Sequence, residues 1–219
     1  MFKPWFYTLV RDSLHVFFLL YLRFKTGGLE NIPRDSRGVI LAPNHASYLD
    51  PPAVAVAIKR HVAFMAKDYL FRKPVLGRAL RWLGVLPIKT TKEDFRSVRE
   101  LIRKLKQGYW IVVFPEGTRS SDGRFKEPEA GIGFLAMKSG AWVVPIYVGG
   151  AYEAFPRQSK WPRPVKVWTV YGKPFIPAEE CRADGEGAYL AVAQRIMDKI
   201  KNLKDSQSDL MAARKEQGK

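Results

Sequence analysis

The sequence predicts an α/β fold: a mostly parallel mixed sheet covered by helices on both faces, preceded by an N-terminal membrane-interfacial helix or two-helix motif. Three observations carry this. From residue 38 onward, short apolar runs of strand length alternate with amphipathic segments of helical period, the order that builds parallel sheets between helices. Two of those runs, GVILA at 38–42 and YWIVVF at 109–114, are apolar at successive positions, as strands buried on both faces are. The first 28 residues differ from the rest, being rich in aromatic and aliphatic side chains but interrupted by Arg11, Asp12 and His15.

The N-terminal segment comes first. Its longest uninterrupted apolar run, residues 16–22, is far short of the roughly 20 residues a spanning helix needs. No small-residue cleavage site follows it, so a signal peptide is a poor fit. Trp5, Phe6, Tyr7, Phe17, Phe18 and Tyr21, flanked by Lys3, Arg11, Arg23 and Lys25, suit a helix or helix pair in the headgroup layer. They also suit a helix packed on the domain's own core. Gly27-Gly28 ends the segment.

Residues 38–42 read as a buried strand. Residues 51–59 read as a short helix, with Asp50 at its cap and prolines in its first turn. Residues 61–66 form a strand, and 68–83 are helical in parts, broken at Pro74. Residues 85–88 are a short strand. The stretch EDFRSVRELIRKLKQ, 93–107, is a strongly amphipathic helix that Gly108 ends. A buried strand follows at 109–114, a helix at 130–139, strands at 142–148 and 165–171, and a closing helix at 187–203. The chain thus divides into an interfacial segment (1–26), an α/β domain (27–203) and a polar C-terminal tail or frayed helix (204–219). There is no internal repeat.

At 219 residues with 47% hydrophobic side chains, the chain can bury a real core in one domain. Lys and Arg total 37 against 21 acidic residues, a net charge of +16. Such a surface attracts polyanions, whether nucleic acid, anionic lipid or an acidic protein. The single cysteine, Cys181, cannot form an internal disulfide. Cys181, His15, His45 and His61 show no zinc-ligand spacing, so no metal is expected.

Two loops carry chemistry. NHASYLD, 44–50, directly follows the first buried strand, and ligands of α/β sheets bind at carboxyl ends of strands. A His45–Asp50 pair five residues apart can meet across a strand-to-helix turn. The carboxylate then fixes the imidazole tautomer, and the other ring nitrogen is free to take a proton. No serine or cysteine nucleophile stands beside the pair, so the nucleophile can be the substrate's own alcohol. The bland alternative is a capping aspartate and a satisfied surface histidine. FPEGTRS, 114–120, follows a second buried strand. Gly117 allows close backbone approach, Thr118 offers a hydroxyl, and Arg119 offers a planar fork of donors, which together suit a phosphate. Glu116 can orient Arg119 or a nearby backbone amide. An ordinary turn with a solvated arginine fits the same letters.

In that order, the two loops make the chain resemble the glycerolipid acyltransferases, most closely the bacterial 1-acylglycerol-3-phosphate (lysophosphatidic acid) acyltransferases. The family's NHxxxxD block stands here as Asn44, His45 and Asp50, and FPEGTRS is present in full. A Val-Pro-Ile block looks like Val144, Pro145 and Ile146. A segment that ends in arginine in the family reads GVLPIKT here, with Lys89 keeping the charge but not the fork. Lys67, in MAKDYL, resembles a family lysine before a Leu-x-x-x-Pro stretch. The likeness spans residues 38–150.

The resemblance implies that His45 is the general base on the sn-2 hydroxyl of lysophosphatidic acid, oriented by Asp50. It implies that Gly117, Thr118, Arg119, Lys89 and Lys67 hold the phosphate, with Asn44, Glu116 and Pro145 in support. The donor is a thioester of acyl carrier protein or coenzyme A, the product phosphatidic acid, and no further cofactor is implied. The expected place is peripheral or monotopic on the cytoplasmic face of the cell membrane, against anionic lipid. Acceptors such as glycerol 3-phosphate or another lysophospholipid, and lipid-to-lipid transacylation, stay within the class. A basic nucleic-acid-binding domain explains the charge but not the two loops, and no nucleic-acid-binding signature appears. A catalytically dead membrane scaffold does not explain an intact His-Asp pair.

Overall fold

The computed structural model describes residues 1–88, 95–180 and 185–216, with backbone alone at residue 95 and at 207–216. In chain order its elements are helix α1 (Pro4–Leu20), strand β1 (Lys25–Gly27), a 3-10 turn (Leu29–Asn31), β2 (Val39–Pro43), α2 (Asp50–Val56), β3 (Met65–Lys67), a second 3-10 turn (Asp68–Arg72), α3 (Pro74–Trp82), β4 (Leu86–Ile88), α4 (Phe95–Lys106), β5 (Trp110–Val112), α5 (Ala130–Ser139), β6 (Trp142–Gly149), α6 (Ala151–Ala154), β7 (Trp168–Tyr171), α7 (Pro177–Glu180) and α8 (Glu186–Glu216).

Five strands form one sheet in the order β1-β7-β6-β2-β5, and β3 and β4 form a parallel pair beside it. β5, β2 and β6 run parallel, β7 is antiparallel to β6, and β1 is parallel to β7. The expected mostly parallel mixed sheet is therefore observed. β2 shows why its sequence is continuously apolar. Val39 and Leu41 pack toward α1, α2 and α6, while Ile40 and Ala42 pack toward α4, α5 and α8. Both faces are covered, so neither has room for polar side chains.

Pro145 sits in a central strand, where a residue without an N–H is normally excluded. It is tolerated because it precedes the β6–β7 register, which begins at Ile146, and its carbonyl accepts the Gly172 amide at 2.8 Å.

The N-terminal segment contains one helix. Its inner face buries Tyr7 and Phe18, with Leu22 and Phe24 following into the same core. Two of its three polar interruptions point inward as well. His15 Nδ1 bonds the Val56 carbonyl at 2.8 Å and Arg11 the Lys59 carbonyl at 2.9 Å, supplying donors just where α2 ends. The opposite stripe is also apolar: Trp5, Leu9, Val16 and Leu20 are exposed, Leu20 by 79%. Both readings of this segment thus find a face of the same helix. No helix among the described residues is long and apolar enough to cross a membrane.

Several boundaries differ from expectation. β1 was not expected; three exposed residues on a sheet edge carry no burial period. The 61–66 strand divides, with Ala63 bridging to Ile111 of β5 and Met65–Lys67 pairing with β4. The 165–171 strand starts only at Trp168. The polar residues from 204 to 216 continue α8, which is the helical one of the two alternatives drawn for that stretch.

Candidate active site

β2 and β5 are parallel neighbours, with Val39, Ile40 and Leu41 paired to Trp110, Ile111 and Val112. Their carboxyl ends therefore lie side by side, and the two loops that follow them meet. Lys67 closes the same end, because its strand runs parallel to β5 through the Ala63–Ile111 bridge. A cavity of about 780 Å³ opens there, lined by His45, Lys67, Gly117, Thr118 and Arg119 among others. Five of the expected site residues thus share one cavity.

His45 Nδ1 lies 2.9 Å from Asp50 Oδ2. Asp50 is fully buried and its Oδ2 also accepts the backbone amides of Ala46 and Ser47, each at 2.7 Å. The expected cap role is corrected here. Asp50 lies inside the first turn of α2, behind a Leu49 N-cap, and its carboxylate folds back onto the loop before it. Three donors fix the carboxylate, and the carboxylate fixes the ring. The imidazole also stacks on Phe114, with centroids 3.7 Å apart and planes 17° apart. The Asp50 bond assigns the proton to Nδ1, leaving Nε2 as the ring's acceptor.

The backbone around His45 is held at three further points. Asn44 bonds both ways with Val148 of β6, its Oδ1 accepting the amide at 2.7 Å and its Nδ2 donating to the carbonyl at 3.1 Å. Glu116, 2% exposed, accepts the His45 amide on one oxygen at 2.8 Å and the Lys126 amide on the other at 3.0 Å. The His45 carbonyl accepts the Ser120 amide at 2.8 Å. Glu116 therefore takes backbone amides rather than orienting Arg119, and it joins the two loops. Burial pushes its carboxyl above the usual range, the two amides pull against that, and nearby Asp50 adds to the rise.

Gly117 adopts φ +65°, and a Cβ there would run into the Glu129 carboxylate. Glycine is required at this turn. The Thr118 hydroxyl receives the Lys126 ammonium at 2.6 Å. The Arg119 guanidinium carbon lies 3.5 Å from the Tyr48 ring, and its Nη1 is buried with no hydrogen-bond partner among the described residues. Buried donors are almost always satisfied; this one is not, and it belongs to a residue that lines the cavity. Arg124, Lys126 and Arg157 also line the cavity. They lie outside the recognised loops, and only their charge marked them. Pro145, buried in β6, is not in the lining. Lys89 lies outside the described residues. No group of three His, Cys, Asp or Glu side chains that could hold a metal occurs among the described residues.

The comparisons with known proteins agree on the family. A model of the acyltransferase family matches residues 23–149, which include both loops. The chain is similar to the chloroplastic 1-acyl-sn-glycerol-3-phosphate acyltransferase of Arabidopsis thaliana, with 33% identity over 64% of this chain and 40% of that protein. It is also similar to the 1-acyl-sn-glycerol-3-phosphate acyltransferase of Bacillus subtilis, with 25% identity over 93% of this chain and 100% of that one. The chain thus spans less than half the length of the plant relative and matches the full bacterial one. The crystal structure of the 1-acyl-sn-glycerophosphate acyltransferase PlsC from Thermotoga maritima superposes with a TM-score of 0.72 at 28% identity, covering 90% of this chain and 81% of that one. With the family model matched across both site loops and the fold shared over most of its length, this chain belongs to the acyltransferase family.

Proposed function

We propose that the chain transfers a fatty acyl group from an acyl carrier protein or coenzyme A thioester to the sn-2 hydroxyl of lysophosphatidic acid, giving phosphatidic acid. The observation that carries this is the shared cavity. A histidine with one ring nitrogen committed to a buried carboxylate faces the same space as a buried, unpartnered arginine donor. That space suits a ligand with both an alcohol and a phosphate. Names of the relatives support the same acceptor.

His45 Nε2 takes the hydroxyl proton as the alcohol oxygen attacks the thioester carbonyl. Asp50 stabilises the imidazolium that forms. The tetrahedral intermediate collapses by breaking the carbon–sulfur bond, and the leaving thiolate takes the proton from His45. No covalent acyl-enzyme is needed. Arg119, Gly117 and Thr118, with Lys67, hold the phosphate and so fix where the hydroxyl stands. The bilayer supplies the acceptor and takes the product, so the protein works as a peripheral or monotopic protein on the cytoplasmic face. The exposed apolar stripe of α1 and the charge of +16 support that placement.

The test is transfer of labelled acyl groups to lysophosphatidate in detergent micelles from each donor, comparing wild type with His45→Ala. Phosphatidate formation that disappears in the variant is expected. No product from either donor with folded wild-type protein would sink this acceptor, and a panel with glycerol 3-phosphate and other lysophospholipids would then locate the true one.

A further inference from the structure

A second cavity, of about 400 Å³, lies at the opposite end of β5 from the His45 site, beside Tyr109 and Trp110. Its lining contains Arg60, Arg81 and Lys104 and no carboxylate. Each cation is positioned. The Arg60 guanidinium lies 4.9 Å from the centre of the Trp110 ring and donates to the Gly108 carbonyl at 3.1 Å. Lys104 Nζ lies 4.5 Å from the Tyr109 ring centre, with Glu100 at 3.6 Å on its own helix. Arg81 donates to the Phe71 carbonyl at 3.0 Å. No ion pair joins Arg60 or Arg81 to a carboxylate among the described residues. α4 ends at this cavity, but three of its last four carbonyls are engaged: those of Arg103, Lys104 and Leu105 accept amides from Gln107, Gly108 and Tyr109. The helix end therefore offsets little of the positive charge.

Positioned cations with aromatic backing and spare donors fit a phosphate ester. The setting says which kind. Phe2 forms part of the wall, with its ring 4.3 Å from that of His61. Lys3, the next residue, donates its amide to the Trp82 carbonyl, and Trp5 and Phe6 pack on the Trp82 ring. Trp5 of that cluster is exposed, as is Leu9 one turn further along α1. A basic cavity bordered by exposed apolar surface matches a molecule with an anionic head and an apolar tail. We propose that this cavity binds the phosphate of an anionic phospholipid headgroup, at a site separate from the one that holds the acyl acceptor. The lipid source rests on the membrane-surface reading above, whereas the phosphate site itself does not.

Isothermal titration of the full chain with dihexanoyl phosphatidylglycerol, and separately with inorganic phosphate, tests this in solution. It would use wild type, the triple variant Arg60→Gln/Arg81→Gln/Lys104→Gln, and Arg119→Ala. Saturable lipid binding that survives in Arg119→Ala and weakens at least tenfold in the triple variant is expected. Lipid should also slow amide exchange at residues 107–110 of the wild type, a readout that does not depend on any variant folding. Lipid binding at least tenfold tighter than phosphate assigns the headgroup; equal binding keeps the site and makes its ligand a soluble phosphate. Unchanged binding in a folded triple variant, or no protection at 107–110, overturns the proposal. Catalysis is not read, so failure of the acyltransfer reaction and failure of this site remain distinguishable.

Discussion

Asp50 shows how much one buried oxygen can fix. Oδ2 receives the His45 ring and two backbone amides, while Oδ1 has no partner among the described residues. Asp50→Asn keeps the volume but offers a single acceptor, and whichever way the amide faces it cannot both receive these donors and stabilise an imidazolium. Loss of about 100-fold or more in kcat is expected, with little change in the Michaelis constant for either substrate. Steady-state kinetics on folded protein checks it. Glu116→Gln tests a different role, because Glu116 touches backbone only. A Gln there must turn an NH2 toward the amide of His45 or Lys126, leaving a buried donor unmatched at a cost of about 1–3 kcal/mol. The thermal midpoint should fall more than in Asp50→Asn relative to the activity lost. Arg119→Ala should raise the Michaelis constant for lysophosphatidate well above any effect on the donor's; a donor-side effect alone would contradict the phosphate role. His45 and Asp50 were legible because five residues separate them across one turn. For Glu116 a backbone amide was one of the two partners left open; that the amide is His45's was not legible, since it depends on β2 and β5 being neighbours, and nothing local encodes that pairing.

At the scale of the element, α1 is two-faced. Removing residues 1–25 would strip Phe18, Leu22 and Phe24 from the core together with the exposed stripe, so the deletion cannot separate attachment from folding. Substituting the outer stripe alone can. Leu9→Ser/Val16→Ser/Leu20→Ser should leave the melting temperature nearly unchanged and release the protein from sedimented vesicles. The sequence displayed both faces at once, which is why it supported two readings; a helix with apolar residues on opposite faces has no single apolar stripe to assign. The same helix packs Tyr7 and the preceding Phe2 against His61, whose ring burial lowers its proton affinity while the bond to the Leu83 carbonyl opposes that. The unfolded chain then takes a proton near pH 6.5 that the folded chain resists. Stability from this group is complete above that pH and declines as pH falls below it, by at most about 1.4 kcal/mol per pH unit. His61→Gln should therefore lose less melting temperature than wild type between pH 7.5 and 5.5; equal losses would show that His61 is not the source.

At the scale of the molecule, the proposed membrane attachment gives the charge and the apolar face different jobs, and salt separates them. On that proposal a net charge of +16 acts on an anionic bilayer over roughly 10 Å at 0.1 M salt and over only about 3 Å at 1 M. Burial of the α1 stripe, and of Trp161, 81% exposed in the loop tied to α1 by Tyr21 and Arg23, does not weaken with salt. Binding to vesicles with 20 mol% anionic lipid should therefore fall between 0.1 M and 1 M salt toward a plateau, and that plateau should match binding to neutral vesicles. The outer-stripe triple variant should have the slope without the plateau. Complete release of the wild type at 1 M salt would mean that charge alone holds the protein, and α1 would then be a core helix with incidental exposed residues. Composition announced the charge from the start, but not its division of labour with α1. That division follows from the outer stripe lying opposite the face α1 buries, a consequence of how the helix docks on α2.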